Sequence, residues 1–381
     1  MFSVGEFCYQ YLEQQTGDGY PVVNIRYSGP NDPLPFEHKA VVQQFGEETD
    51  IDSIKEWYRR QVTCNSLHES CLKMNYLHIS ERRAITHFYQ ESLSSWMEKK
   101  LKNPPATATD WWGHIRQDFE QIFKPIFATL KNMFLQNDYH GKLTAHSIKV
   151  EYPWPEQPEQ LRGVLTDMDS PRVYDTSVVD KQKGDVEALR SIISDVINSF
   201  GVVTDIVDVE MFHQLDFLQE KYAHREITPL AIRWGMNPVL FWTIPKQIQF
   251  LNTVYWLIYR NGILSNPVYD CVFDSFPPWA FQDNRHPALS RVYNYGVQEH
   301  PGQYSANESI VKYYRNCIQH FDYQKAKTAN SLSAIHKLFI RHYQIILPSI
   351  ILTEKICGGR TKNMTAFDKR LFYLYVEGID I

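Results

Sequence analysis

One histidine near the C-terminus stands in a pattern that could support metal chemistry. Apolar residues lie three, four and seven positions before His342, and three and four positions after it. In a helix these positions form a single apolar stripe with His342 in its middle. A histidine there is either a buried residue satisfied by a carbonyl or carboxylate, or an axial ligand to a haem iron. His336 lies about 240° away around the helix and does not share that face.

A glycine pair follows this histidine. Gly358 and Gly359 stand in the run Cys357-Gly-Gly-Arg-Thr361, sixteen residues after His342, and another helical pattern comes next. Such a turn lets the backbone approach a ligand closely and offers it N–H groups. A glycine pair behind a helix is also an ordinary C-terminal cap. The pair therefore predicts either a ligand loop or a simple helix end.

The order of histidine helix, glycine loop and short helix resembles the haem dioxygenase superfamily of tryptophan 2,3-dioxygenase and indoleamine 2,3-dioxygenase. In that superfamily a GTGG-type loop follows the proximal histidine and closes over the substrate. The run Pro229–Gly235 (PLAIRWG) and the aromatic run Phe250–Trp256 are similar to the matching part of the monodechloroaminopyrrolnitrin synthase branch. The resemblance covers residues 145–381 and is strongest over residues 331–371.

The resemblance implies a haem-dependent oxygenase, or an oxidative rearrangement enzyme, that acts on an indole- or tryptophan-derived aromatic metabolite with O₂. It implies haem b on His342, with Arg233 and Arg341 beside the haem carboxylates. Substrate contacts are expected from four residues, which are Gly358, Gly359, Thr361 and Trp234. It assigns no distal catalytic residue, and the chain has CGGRT where the family has GTGG.

Two other metal sites remain as alternatives, together with a non-enzymatic all-α interaction protein. Cys64, His68 and Cys71 fall on one helical face, and two thiolates with an imidazole could bind zinc. A di-iron bundle needs Glu-x-x-His twice, whereas this chain has it once, at Glu210–His213. Common hydrolase and nucleotide motifs are absent from the sequence, so those classes have no support.

Composition restricts the partners and the compartment. The 381 residues have a net charge of −5, which argues against nucleic-acid binding, and include 9 Trp, 23 Tyr and 21 Phe, enough for a large core. The six cysteines form no C-x-x-C pair, which favours reduced thiols. The N-terminus lacks a signal-peptide pattern, and the most apolar stretch is broken by prolines. We expect a cytoplasmic protein that does not span a membrane; its oligomeric state is not indicated.

The hydrophobic periodicity is mostly helical and predicts the mainly α class. We expect a multi-helix, haem dioxygenase-like fold in two parts. A smaller, mostly helical N-terminal domain would span residues 1–140, and a larger helical haem-binding domain residues 141–381. Within the first part, Pro21–Tyr27 predicts a strand, and Ser80 predicts the start of a helix that runs to about Leu101.

Overall fold

The computed structural model describes residues 2–4, 7–16, 20–27, 36–67, 70–102, 111–152, 160–169, 177–200, 206–260, 287–304, 309–320 and 332–343. The chain divides into two compact units, Met1–Val202 and Val203–Ile381. The sequence placed this boundary at residues 140 and 141 instead. The difference arises because residues just beyond 141 return to the first unit, where Lys149 pairs with Ser92 in a sheet.

The first unit contains a six-stranded antiparallel sheet with the strand order β1-β2-β3-β4-β6-β5. Its strands are β1 Phe2–Val4, β2 Phe7–Gln15, β3 Pro21–Tyr27, β4 Phe36–Gln44, β5 Met74–His78 and β6 Arg83–His87. Alternate residues bury one face of the sheet, with Val23, Ile25, Ala40, Val42 and Ile85 in one cluster. The expected strand at Pro21–Tyr27 is confirmed, whereas the expectation of a mostly helical N-terminal part is not.

A second, three-stranded antiparallel sheet and four helices complete the described part of this unit. The strands are β7 Glu91–Ser92, β8 Ile148–Glu151 and β9 Arg162–Leu165, and the helices are α1 Ile51–Leu67, α2 Leu93–Lys102, α3 Trp111–Leu135 and α4 Val178–Ser199. Helix α3 packs directly on β9. A Cβ atom at Gly163 would lie 2.2 Å from the carbonyl oxygen of Ile122, so only glycine permits this approach. The sequence predicted a helix from Ser80, but Arg83–His87 form strand β6. Helix α2 begins at Leu93, directly after β7.

The described part of the second unit is helical. It contains α5 Ile206–Ala223, α6 Pro229–Gly235, a 3₁₀ turn at Val239–Phe241, α7 Ile244–Arg260, α8 Pro287–Glu299, α9 Ser309–His320 and α10 Leu332–Tyr343. Helix α5 packs against α6 and α10, while α9 packs against α7, α8 and α10. Helix therefore predominates over strand in the described residues, as the periodicity predicted. Within those residues, no helix combines the length and the apolar character needed to cross a membrane.

Candidate functional site

Helix α10 carries both histidines that the sequence singled out. Ile335, His336, Phe339 and Ile340 on this helix are buried, and Leu338 is half-buried. The buried face is centred on His336 and Phe339, about 90° around the helix from His342, so it overlaps the predicted stripe only in part. The backbone of His342 lies in the last helical turn. The side chains of Arg341 and His342 lie outside the described residues, and so do Gly358, Gly359 and Thr361. The metal ligand and the glycine loop thus stay predictions, whereas the helix that would present the ligand is well defined.

His336 is the histidine of α10 that lies outside the predicted apolar stripe. Its side chain is 1% exposed, and both ring nitrogens have polar partners. Nδ1 lies 2.8 Å from the Tyr314 hydroxyl on α9, and Nε2 lies 2.8 Å from Oε1 of Gln247 on α7. The imidazole therefore joins three helices through side-chain hydrogen bonds.

The amide of Gln247 fixes the proton on this imidazole. Gln247 Nε2 donates to the carbonyl oxygens of Val239, at 3.2 Å, and Trp242, at 3.1 Å, so Oε1 must face His336. An amide oxygen only accepts hydrogen bonds, and hence Nε2 of His336 carries the proton. The unprotonated Nδ1 then accepts the hydroxyl proton of Tyr314. Burial, with a smaller contribution from Lys337, lowers the pKa of His336 to about 4, so the ring is neutral at pH 7.

Helix α6 carries Arg233 and Trp234, two of the predicted site residues. Thr228 caps the helix, accepting a hydrogen bond from the Ala231 N–H at 3.1 Å, and Pro229 begins it. Trp234 is fully buried, and its ring meets that of Trp242 edge to face at 6.3 Å. Its indole N–H has no acceptor among the described residues. Arg233, next to it, is half-buried.

Gln214 of α5 holds the turn that follows α6. Its Nε2 donates to the carbonyl oxygens of Trp234, at 3.0 Å, and Asn237, at 3.2 Å, while Oε1 accepts from the Val239 N–H at 3.0 Å. This fully buried amide satisfies three backbone groups at once. Gln247 binds the carbonyls of Val239 and Trp242, which follow in the chain. The segment after α6 therefore connects the surroundings of Trp234 with those of His336.

Aromatic rings surround the His336 side of this unit. The ring of Phe339 lies 5.0 Å from that of Tyr314 and 5.3 Å from that of Tyr313. Tyr304 and Tyr293 continue the cluster, with ring centroids 5.3 Å apart. The site is therefore a buried aromatic region that contains one chain of hydrogen-bonded side chains, formed by Tyr314, His336 and Gln247. It can hold a neutral imidazole, donate and accept a proton, and exclude water.

The rival metal sites are not assembled among the described residues. Cys64 and Cys71 are both buried. The pKa of the Cys71 thiol is raised, mainly by its hydrogen bond to Cys64 and to a smaller extent by its burial. His68 lies outside the described residues, as do the side chains of Glu210 and His213. In the part of the chain that the structure describes, no three His, Cys, Asp or Glu side chains form a metal-binding group.

Comparison with known proteins assigns no family to the chain. No protein-family model and no curated protein matches it.

Proposed function

We propose that this protein is a haem-dependent oxygenase, or oxidative rearrangement enzyme, for an indole- or tryptophan-derived aromatic metabolite. The proposal rests on the resemblance over residues 331–371, and the two histidines of α10 accord with it. Both ring nitrogens of His336 are already engaged, which removes it as an iron ligand. His342 is the remaining imidazole of this helix, and the buried Ile335 and Phe339 place the helix against an apolar interior.

The proposed site assigns a part to each predicted residue. His342 would hold the iron of haem b, and Arg233 and Arg341 would pair with the haem carboxylates. Gly358, Gly359 and Thr361 would offer backbone and hydroxyl groups to the substrate. When bound, haem would supply the binding and activation of O₂.

Trp234 offers the best test of fit among the described residues. A buried N–H donor without an acceptor costs on the order of 1–3 kcal/mol, and the indole N–H of Trp234 is such a donor. A carboxylate or carbonyl oxygen of a bound group would satisfy it. The ring beside it, Trp242, is buried, with Phe250 edge to face at 5.5 Å and the Lys246 ammonium 4.7 Å from its centroid.

The spectrum of the purified chain tests the haem proposal. Protein from haem-supplemented cells should show a Soret band, which His342→Ala should abolish and added imidazole should partly restore. His336→Asn is the matched control on the same helix, and it should keep the band. A folded, colourless wild type that does not bind added hemin would contradict the proposal. Stoichiometric zinc or non-haem iron in that sample would favour the alternative metal sites.

The substrate class has its own test. Under anaerobic conditions, tryptophan, indole and their chlorinated derivatives should shift the Soret band of the reduced protein as they bind near the haem. Trp234→Phe removes the indole N–H donor together with one of the two fused rings, and it should weaken that shift more than it changes haem content. Equal binding of all derivatives by the wild type and Trp234→Phe would exclude Trp234 from the substrate site.

A further inference from the structure

Two consecutive tyrosines on α9 differ in the group that accepts their hydroxyl proton. Tyr313 and Tyr314 are both fully buried. The Tyr313 hydroxyl donates to the backbone carbonyl of Leu289 at 2.6 Å. The Tyr314 hydroxyl donates to Nδ1 of His336 at 2.8 Å. The two phenols therefore share their helix and their burial, and they differ in the basicity of the group that accepts the hydroxyl proton.

This difference decides what each phenol can do when it loses an electron. An oxidised phenol is a strong acid and must release its hydroxyl proton to form a neutral phenoxyl radical. A peptide carbonyl is too weak a base to take that proton, whereas the free nitrogen of a neutral imidazole takes it readily. Only Tyr314 has such a nitrogen along its own hydrogen bond.

We propose that Tyr314 and His336 form a redox-active phenol–imidazole pair. A one-electron oxidant removes one electron from the Tyr314 ring, and the hydroxyl proton moves to Nδ1 of His336. The products are a neutral phenoxyl radical and an imidazolium, and the oxidant is reduced by one electron. Re-reduction returns the electron to the ring and the proton to the oxygen. The imidazolium keeps its Nε2–H bond to Gln247, whose amide oxygen faces the new positive charge.

The surroundings favour this coupled step over loss of the proton first. Burial raises the pKa of the Tyr314 hydroxyl, so a phenolate does not form at neutral pH. The nearby thiol of Cys317 also stays protonated, because burial raises its pKa. Proton transfer along the existing bond to His336 is therefore the available route.

The aromatic neighbours give the electron a path. Tyr314 contacts Phe339, Phe339 contacts Tyr313, and Tyr313 contacts Tyr293, with ring centroids 5.0 to 5.7 Å apart. Tyr293 is half-buried, so the cluster begins closer to the surface than Tyr314 does. An oxidant outside the protein can thus withdraw an electron from a phenol that it cannot touch. The pair requires no haem and does not rest on the proposed function.

The test uses the full chain without added haem and a photogenerated ruthenium(III) tris-bipyridine complex as the oxidant. Freeze-quenched samples are examined by electron paramagnetic resonance, with ring-deuterated tyrosine to identify the radical. Surface tyrosyl radicals are removed by a brief pulse of ascorbate, which leaves the buried signal. We expect a long-lived tyrosyl signal in the wild type and in Tyr313→Phe, and its loss in Tyr314→Phe. Tyr313→Phe loses a hydroxyl but keeps its aromatic ring on the electron path. Persistence of the signal in Tyr314→Phe, or its loss in Tyr313→Phe as well, would overturn the proposal.

The acceptor is tested separately. His336→Asn keeps a hydrogen-bond acceptor near Tyr314 but offers no basic nitrogen, so the long-lived signal should be lost. If that variant does not fold, the wild type still decides the matter. Its Tyr314-dependent signal should form more slowly in D₂O than in H₂O, because the proton moves with the electron. An equal rate in both solvents would show that His336 takes no part.

Discussion

Two buried histidines, one in each unit, are held by different kinds of partner. In the first unit, Nε2 of His140 lies 2.8 Å from the carbonyl oxygen of Thr166, and Nδ1 accepts the Lys142 N–H at 3.3 Å. In the second unit, His336 lies between the side chains of Tyr314 and Gln247. Burial lowers the pKa of both rings from 6.5 to about 4.

The contrast is between a histidine that is bonded to backbone groups and one that is bonded to a phenol. Backbone groups are fixed in place, and a peptide N–H or carbonyl does not exchange protons with imidazole. His140 therefore only holds the chain together. Asp185 reinforces that part, accepting the N–H groups of His140 at 2.6 Å and Gly141 at 2.8 Å. A phenol can give up its proton, so the same degree of burial leaves His336 able to react.

The largest expected effect is the loss of the His140 side chain. His140→Ala removes a fully buried ring and leaves the Thr166 carbonyl without its donor, so it should lower the free energy of unfolding by about 3–4 kcal/mol. Urea denaturation followed by circular dichroism measures the change. A decrease in the free energy of unfolding below about 1 kcal/mol would mean that the His140 ring stabilises the fold less than its contacts indicate.

The pH dependence of stability comes next in size. Both rings are neutral when folded, and their pKa of about 4 lies below the unfolded value of 6.5, so the unfolded chain binds protons first on acidification. Each histidine should thus cost up to about 3 kcal/mol of stability as pH falls from 6.5 to 4. The wild type and His336→Asn, compared at each pH, isolate one ring from other titrating groups. The two should differ most at pH 7, and a difference that stays constant down to pH 4 contradicts the assignment.

A smaller effect is expected at the amide that orients His336. Gln247→Leu leaves the imidazole N–H and the Trp242 carbonyl without partners, while the Val239 carbonyl keeps the Trp242 N–H as a donor, and the change should cost about 2 kcal/mol. Thermal unfolding provides the measurement, and Gln249→Leu, an exposed position on the same helix, is the control. Equal melting temperatures for the two variants would show that the amide is dispensable.

The smallest effect should be the same in two variants. Tyr313→Phe and Tyr314→Phe each delete one hydroxyl from a fully buried ring, and each should cost about 1 kcal/mol. The pair is useful because stability should not separate the two positions, whereas the radical measurement should. A much larger loss in Tyr314→Phe would assign His336 a mainly structural part and weaken the contrast with His140.

Local patterns identified much of the helical unit. The sequence also predicts helices at Ile206–Tyr222 and Asn307–Phe321, close to the observed α5 and α9. The apolar residues of α9 lie on one face, whereas those of α5 are distributed around the helix. Ile335 and Phe339 of the predicted stripe on α10 are buried, although the buried face also includes His336 and Ile340. These features depend on residues a few positions apart, which the sequence shows directly.

Features that depend on distant residues were not visible in this way. His336 looked like the lesser histidine of α10, because its partners come from two other helices, 22 and 89 residues away. Strands β2 and β4 carry many polar residues, and their pairing with β3 decides their structure. The observed unit boundary differs from the expected one for the same reason. Strand β8 pairs with β7, which ends at Ser92, and β9 pairs with β8.

The two carbonyls that bind Gln247 have an effect beyond the turn to which they belong. If they moved away, the amide could rotate by half a turn and present its NH₂ group to His336. The imidazole would then have to carry its proton on Nδ1, and the Tyr314 hydroxyl would lose its acceptor. The carbonyl groups of residues 239 and 242 thus determine the direction in which Tyr314 donates to His336 and His336 donates to Gln247.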